Sequence, residues 1–205
     1  MRVLPFGDRA LLAEYDTLER TMAAARAMER TVPPGVIELV PAARTVLVRV
    51  EPGMSLRAIE AWLRGVGDPE PAAGGHADAP VVSIPVRYNG PDLAEAAAAV
   101  GLSAEELAER HAASTWVCAF TGFAPGFGYL VSPDFGLELP RRATSRPRVE
   151  PGSVALAAEF SGVYPRASPG GWQLIGSTDA VLWDAAREPA ALLSPGTRVR
   201  FEAVP

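Results

Sequence analysis

Arg141, Arg142, Arg146 and Arg148 fall within eight residues of a chain whose formal net charge is −5. Pro147 interrupts the run and no carboxylate lies inside it. A planar guanidinium matches carboxylate or phosphate bidentately, so such a cluster suits an anionic ligand; a solvated loop is the plainer alternative. The stretch before it, Phe120-Thr-Gly-Phe-Ala-Pro-Gly-Phe-Gly-Tyr-Leu130, sets four aromatics among three glycines and one proline. Glycine permits positive φ or a close backbone approach, and Pro125 restricts both itself and Ala124, so the whole stretch is neither a plain strand nor a plain helix. Two readings fit it. It is an aromatic turn closing part of a core, or a loop whose bare backbone lines a pocket walled by Phe123, Phe127 and Tyr129. His111 ends a helical segment, where it serves either as a charge-complementing group or as a site residue.

Other chemistries are excluded or weak. All 19 basic residues are arginine, which removes a Schiff-base lysine and a Walker-type lysine. No P-loop is present, and Gly170-Gly171 alone is a weak phosphate signal. There is no Gly-x-Ser-x-Gly, and Ser153 and Ser177 read as turn residues. His76 and His111 stand far apart without ligand-like neighbours, so no zinc site is expected. The single cysteine, Cys118, sits in the apolar run Trp116-Val-Cys-Ala-Phe120; it reads as a buried, inert thiol in a reducing compartment. The acidic balance disfavours nucleic acid. No basic-then-apolar leader and no long apolar run appear, so a cytoplasmic protein without membrane contact is expected.

The positioning elements follow from periodicity. Arg2–Phe6 and Ala10–Glu14 read as strands about the Gly7-Asp8 turn. Asp16 with Glu19 predicts a capping box for a helix to about residue 31, stopped by Pro33-Pro34-Gly35. Val36–Val40 and Thr45–Val50 are further strands, and Ser55 caps a helix carrying Leu56, Ile59 and Leu63. This predicts a ferredoxin-like α+β domain over 1–66. Residues 67–79 lack periodicity and large apolar side chains, and form the expected linker. In the second domain, 80–205, Val81–Tyr88 is a strand, Asp92 starts a short helix, and Ser103-Ala-Glu-Glu106 is a capping box. Beyond Thr115, short apolar runs alternate with Gly/Pro turns, which predicts a mainly β barrel or sandwich. The expected strands include Val154–Ala158, Gln173–Ile175, Ala180–Asp184 and Arg198–Glu202.

In order, the chain shows His111, Gly122-Phe-Ala-Pro-Gly-Phe-Gly-Tyr-Leu130, Leu139-Pro-Arg141, Pro147-Arg148, Pro151-Gly-Ser-Val154, Val163-Tyr-Pro165 and Ser168-Pro-Gly-Gly-Trp-Gln-Leu-Ile-Gly176. With Phe6-Gly-Asp-Arg-Ala-Leu11 and Val199-Arg-Phe201, this set resembles the family of B-type subunits of bacterial 5-oxoprolinase across essentially the whole chain. That family is also called allophanate hydrolase subunit 1, or the carboxyltransferase-domain family, and includes a Kip-type inhibitor of a sporulation histidine kinase.

The resemblance implies a ferredoxin-like domain followed by a cyclophilin-like β-barrel. It implies partner subunits C and A, with ATP as co-substrate and Mg²⁺, for opening 5-oxo-L-proline to L-glutamate. It marks out candidate pocket residues, among which their chemistry suggests His111, Arg141 and Arg148 as catalytic and Phe123, Pro125, Gly126, Phe127, Tyr164, Gly170, Gly171 and Trp172 as binding residues. The chain departs from the family pattern at Phe160-Ser161-Gly162, Ser177 and Asp179, where Gln-Thr-Gly, Arg and Pro are usual. Regulatory binding to a sensor kinase, or action on allophanate or another amide, therefore stands beside the enzymatic reading.

Overall fold

The computed structural model describes residues 1–71 and 81–205. Chain contacts separate two compact units, Met1–Gly75 and His76–Pro205. Most of the expected linker, with His76, lies outside the described residues.

The first unit contains β1 (Arg2–Pro5), β2 (Ala10–Glu14), α1 (Leu18–Thr31), β3 (Val36–Pro41), β4 (Thr45–Val50) and α2 (Leu56–Val66). Its sheet runs β1-β2-β4-β3 and every pair is antiparallel. Val46, Val48 and Val50 alternate into the core and meet Met28 of α1 and Ile59 and Leu63 of α2. Alternation along the strand and helical spacing thus select the same buried layer. The cap of α1 is one residue later than expected: Thr17 accepts from Arg20 N at 3.3 Å, so the predicted Asp16/Glu19 box is not used. The order β-β-α-β-β-α also differs from the β-α-β-β-α-β of a ferredoxin-like unit, because an edge strand comes first rather than last.

The second unit contains β5 (Val81–Val86), α3 (Leu93–Ala99), α4 (Ala104–Ala113), β6 (Trp116–Thr121), β7 (Gly128–Val131), β8 (Arg146–Val149), β9 (Ser153–Ala157), β10 (Phe160–Val163), β11 (Ser168–Gly170), β12 (Gln173–Ser177) and β13 (Arg198–Ala203). Seven strands form one sheet, β12-β9-β10-β7-β6-β13-β5, and β8 pairs with β11 separately. An antiparallel bridge between Arg87 and Ser177 ties the two edges, with reciprocal N–H to O bonds of 2.9 and 2.8 Å. The sheet is therefore nearly closed, which removes most of its exposed edge. The expected strand at Ala180–Asp184 is not formed; Trp183 makes only an isolated bridge to Ala191. Arg187 occupies the carbonyls of Val181, Pro189 and Ala190, which gives this turn local bonds in place of a ladder.

The barrel core holds Trp116, Phe135, Phe201 and Leu130, with Leu107 of α4. The capping box of α4 forms as expected, with Ser103 N donating to Glu106 Oε2 at 2.7 Å and Glu106 N to Ser103 Oγ at 3.2 Å. His111, in its last turn, is fully buried and stacks on Phe201 at 4.4 Å. Its Nδ1 lies 2.8 Å from Tyr88 Oη and its Nε2 2.8 Å from Ser161 Oγ. Burial lowers its pKa to about 3. The residue is a neutral core group, and the reading of it as a cation complementing the helix end is corrected. Cys118 is buried, and burial pushes its thiol up to about 12, in line with an inert role.

Folding therefore strips a proton that the unfolded imidazole binds below pH 6.5. The unfolded state binds more protons as pH falls from about 6.5 towards about 3, so the His111 contribution is present above this window and lost through it. Urea unfolding across that range should show a His111 slope of about 1.4 kcal/mol per pH unit. His111→Gln should flatten the curve by up to one proton; an unchanged slope would contradict the assignment.

Candidate functional site

The site begins with a β-bulge. Cys118 pairs with Leu130, but Phe120 pairs with Tyr129, so two steps on β6 face one on β7. The extra residue turns Phe120 from the face carrying Trp116 and Cys118 to the opposite one. There Phe120 stacks on Tyr129 at 4.3 Å. Without the bulge, strict alternation would put Phe120 into the barrel core.

The connecting loop is pinned by its own backbone. Phe127 N donates to Ala124 O at 2.9 Å and Gly122 N to Phe127 O at 3.2 Å. Phe123 adopts φ +67°, a left-handed conformation that is uncommon for a bulky residue. It leaves the ring 58% exposed while still contacting Phe127 and Tyr164. Phe127 lies beneath, 5.4 Å from both Tyr164 and Trp172 and 5.1 Å from Tyr129. These near-perpendicular contacts set positive ring edges against negative faces. Together they build an aromatic shelf.

Gly162 and Gly170 leave room for it. A Cβ on Gly162 would stand 2.9 Å from Phe127 Cζ and 3.2 Å from Trp172 Cζ3, and one on Gly170 would collide with Tyr164 Oη. Gly171 lies beside Arg141, whose Nη2 is 3.7 Å from its ideal Cβ position. Arg141 has neither an ion pair nor a hydrogen bond to a side chain among the described residues. Burial raises the pKa of Tyr129 and of Tyr164, and the charge of Arg141 opposes both shifts. The cation therefore acts on both phenols.

The four arginines divide into three roles. Arg142 Nη1 and Arg146 Nη2 both donate to Asp92 Oδ1 at 2.6 Å. Leu174 N donates to Asp92 Oδ2 at 2.7 Å. Burial raises the Asp92 pKa, but the Arg146 and Leu174 hydrogen bonds and the two guanidinium charges outweigh it and hold the carboxyl below its ordinary value. Arg148 is exposed and bidentate to Glu150, with contacts of 2.7 and 3.2 Å. No hydrogen bond ties it to the shelf among the described residues. Of the four, Arg141 remains for a ligand.

The structure thus brings together Arg141, Phe123, Phe127, Tyr164, Gly170, Gly171 and Trp172. His111 lies in the barrel core and Arg148 on the surface. Pro125 and Gly126 line a separate cleft of about 480 Å³ with Trp183, Leu193 and Pro195, which Phe123 also borders. Asp92 is the residue that sequence reading missed. The available signal was an arginine cluster without a local carboxylate, which calls for a remote one. The unusual residues have local partners: Phe160 packs on Tyr129, Ser177 Oγ donates to Asn89 at 2.9 Å, and Asp179 pairs with Arg87 at 2.9 Å.

The family described as carboxyltransferase domain, subdomain C and D, matches residues 1–193. The B-type subunit of 5-oxoprolinase from Escherichia coli O157:H7 is 40% identical over 204 residues, covering 95% of this chain and 92% of that protein. That of Bacillus subtilis (strain 168) is 42% identical over 124 residues, 59% of this chain and 52% of the relative. Among solved structures, TTHA0988 matches with TM-score 0.75 and 34% identity over 96% of this chain but only 40% of its own. The Pyrococcus horikoshii protein PH0987 matches with TM-score 0.56 and 30% identity, covering 99% of this chain and 97% of its own. The K. lactis urea amidolyase, at 18% identity and TM-score 0.79 over 98% of this chain and 15% of its own, shares the fold.

Gly170→Ala tests the packing, since this glycine is not at positive φ and only space is at stake. Urea unfolding should show a loss of about 1–3 kcal/mol, the range for overpacking a filled site. Tyr164→Phe in the same chain should restore part of it, because the hydroxyl is the atom struck. A loss below about 0.5 kcal/mol would mean that the shelf is loosely packed.

Proposed function

The chain belongs to the carboxyltransferase-domain family, subdomain C and D, and we propose that it is the B-type subunit of an ATP-dependent 5-oxoprolinase that opens 5-oxo-L-proline to L-glutamate. The carrying observation is Arg141, an unpaired guanidinium beside Gly171 and next to an aromatic shelf. Near-full-length similarity to a protein named as a 5-oxoprolinase component supports the substrate. The substrate is a small ring with one carboxylate and one lactam, and the shelf offers a partner for the carboxylate and for the ring. Arg141 takes the carboxylate by charge-assisted hydrogen bonds. The exposed Phe123 packs against the ring, backed by buried Phe127 and Trp172, and excludes water, which strengthens electrostatic contacts at the reacting group.

In the net reaction the lactam C–N bond breaks, its carbonyl carbon gains a hydroxyl and its nitrogen gains a proton. Neutral, enclosed His111 does not reach a ligand directly. It holds Ser161 Oγ beneath the sheet strand that carries Phe160 and Gly162, so its part is to support the shelf. Among the described residues no group of three or more His, Cys, Asp or Glu can hold a metal ion. The chain also has no lysine. In this reading the chain supplies the 5-oxoproline-binding edge of a site completed by companion subunits A and C, and is inactive alone. No helix among the described residues is long and apolar enough to cross a membrane.

Combined with its A and C companions, the chain should support 5-oxoproline-dependent ADP release and glutamate formation. Arg141→Ala should raise KM for 5-oxoproline by about 10–100-fold, the worth of a hydrogen bond to a charged group, with a smaller change in kcat. A complete complex that never turns over 5-oxoproline, or an Arg141→Ala variant with wild-type KM, overturns the reading. Stable capture of a sensor kinase by an inactive complex would instead favour the regulatory alternative.

A further inference from the structure

Arg141 is useful only if it stays where it is, yet no described side chain bonds its guanidinium. Its neighbours are held instead. Gln173 Nε2 donates to Pro140 O at 3.0 Å on one side. Arg142 N donates to Gly171 O at 2.9 Å on the other. Arg142 and Arg146 then run their guanidiniums to the same oxygen of Asp92. Asp92 is only 2% exposed, so its charge persists because these partners surround it. Its own backbone is fixed as well: Asp92 N donates to Leu174 O at 3.0 Å while Leu174 N returns to Asp92 Oδ2 at 2.7 Å. Asp92 stands at the start of α3 but makes no side-chain cap there. Its side chain, which at that position ordinarily caps the first turn, is given over to the arginines.

We propose that Asp92 is the positioning residue of the site: through Arg142 and Arg146 it fixes the 140–146 segment, so that Arg141 is presented beside Gly171 with its guanidinium free for the anionic group of the ligand. This rests on the 5-oxoprolinase reading for its ligand, but the positioning itself is a property of the chain. The cluster supports the same purpose electrostatically. Arg141, Arg142 and Arg146 against Asp92 and against Glu95, whose Oε2 lies 3.9 Å from Arg142 Nη1, leave net positive charge beside the shelf. Arg142 Nε and Arg146 Nη1 are buried and keep donors that Asp92 does not use. Asp92 and Glu95 together balance Arg142 and Arg146, so the positive charge left over at this edge is that of Arg141, which suits an anion-binding role.

The test is a double-mutant cycle in the assembled complex, with hydrogen exchange on the chain as a substrate-free readout. Asp92→Asn keeps the shape and removes the charge. It should raise KM for 5-oxoproline about tenfold while kcat changes less than about threefold, and speed amide exchange over residues 141–146 about tenfold or more. In an Arg141→Ala background it should add less than about twofold to KM, because its effect passes through Arg141. Equal effects with and without Arg141 would make Asp92 a general stability residue and overturn the proposal, as would unchanged exchange over 141–146. If Asp92→Asn does not fold, Arg142→Lys, which keeps the charge but shortens the reach, is measured the same way with the same expected outcomes. If the wild-type complex fails to turn over 5-oxoproline, the functional reading falls, and exchange still decides whether Asp92 holds the segment.

Discussion

A carboxylate sealed from water cannot stand alone, because its desolvation costs several kcal/mol unless charge and hydrogen bonds replace the lost water. Asp92 meets that condition with two guanidiniums and one backbone amide. Asp92 and its partners come from three distant parts of the chain: the turn before α3, the segment 142–146 and the start of β12. Because the charge must be satisfied, these segments must meet. The same requirement draws Arg142 and Arg146 inward and leaves Arg141, between Pro140 and Arg142, turned to a different environment. One buried charge thus sorts neighbouring arginines into structural and available ones.

The aromatic shelf obeys a different rule. A sheet presents two faces, and the barrel needs one of them for its core. The bulge in β6 lets a single strand serve both, with Trp116 and Cys118 inside and Phe120 outside. On β10 ordinary alternation is enough: Ser161 and Val163 face the core while Phe160 and Gly162 face the shelf. Gly162 and Gly170 then replace side chains with ring space. The shelf is assembled from residues that the core does not claim, and His111 and Ser161 are the polar pair on the core side of the same strand.

The loop between β6 and β7 joins the two arrangements. It accepts a left-handed Phe123, and strain of this kind persists only where surrounding bonds over-determine the backbone. The short internal bonds of the loop supply that constraint. Its phenyl remains exposed as an outer wall, whereas Phe127 is locked below. One short loop therefore supplies both a fixed floor and an open edge, with Pro125 and Gly126 turned to a second cleft.

Much of the fold was legible in local pattern. Periodicity located both helices and all four strands of the first unit, since these depend on i, i+3, i+4 or i, i+2 spacing within one segment. The capping box at Ser103 was readable because its partners lie three residues apart, while the cap at Thr17 was misplaced by one residue because neighbouring Asp16 is an equally good acceptor. The aromatic loop, the glycine-rich turn before Trp172 and the arginine cluster announced themselves by composition, and the joint motif set pointed to the family. Sequence could not say which arginine stays free, since that depends on a carboxylate some 50 residues away. Nor could it show the bulge, which exists only in the register between two strands, or the enclosure of His111, which depends on Phe201 arriving from the last strand. The chain's residue types decided what chemistry was available to it. Tertiary structure decided which groups hold the fold and which remain for a ligand, because pairing and desolvation are settled between segments that are remote in sequence.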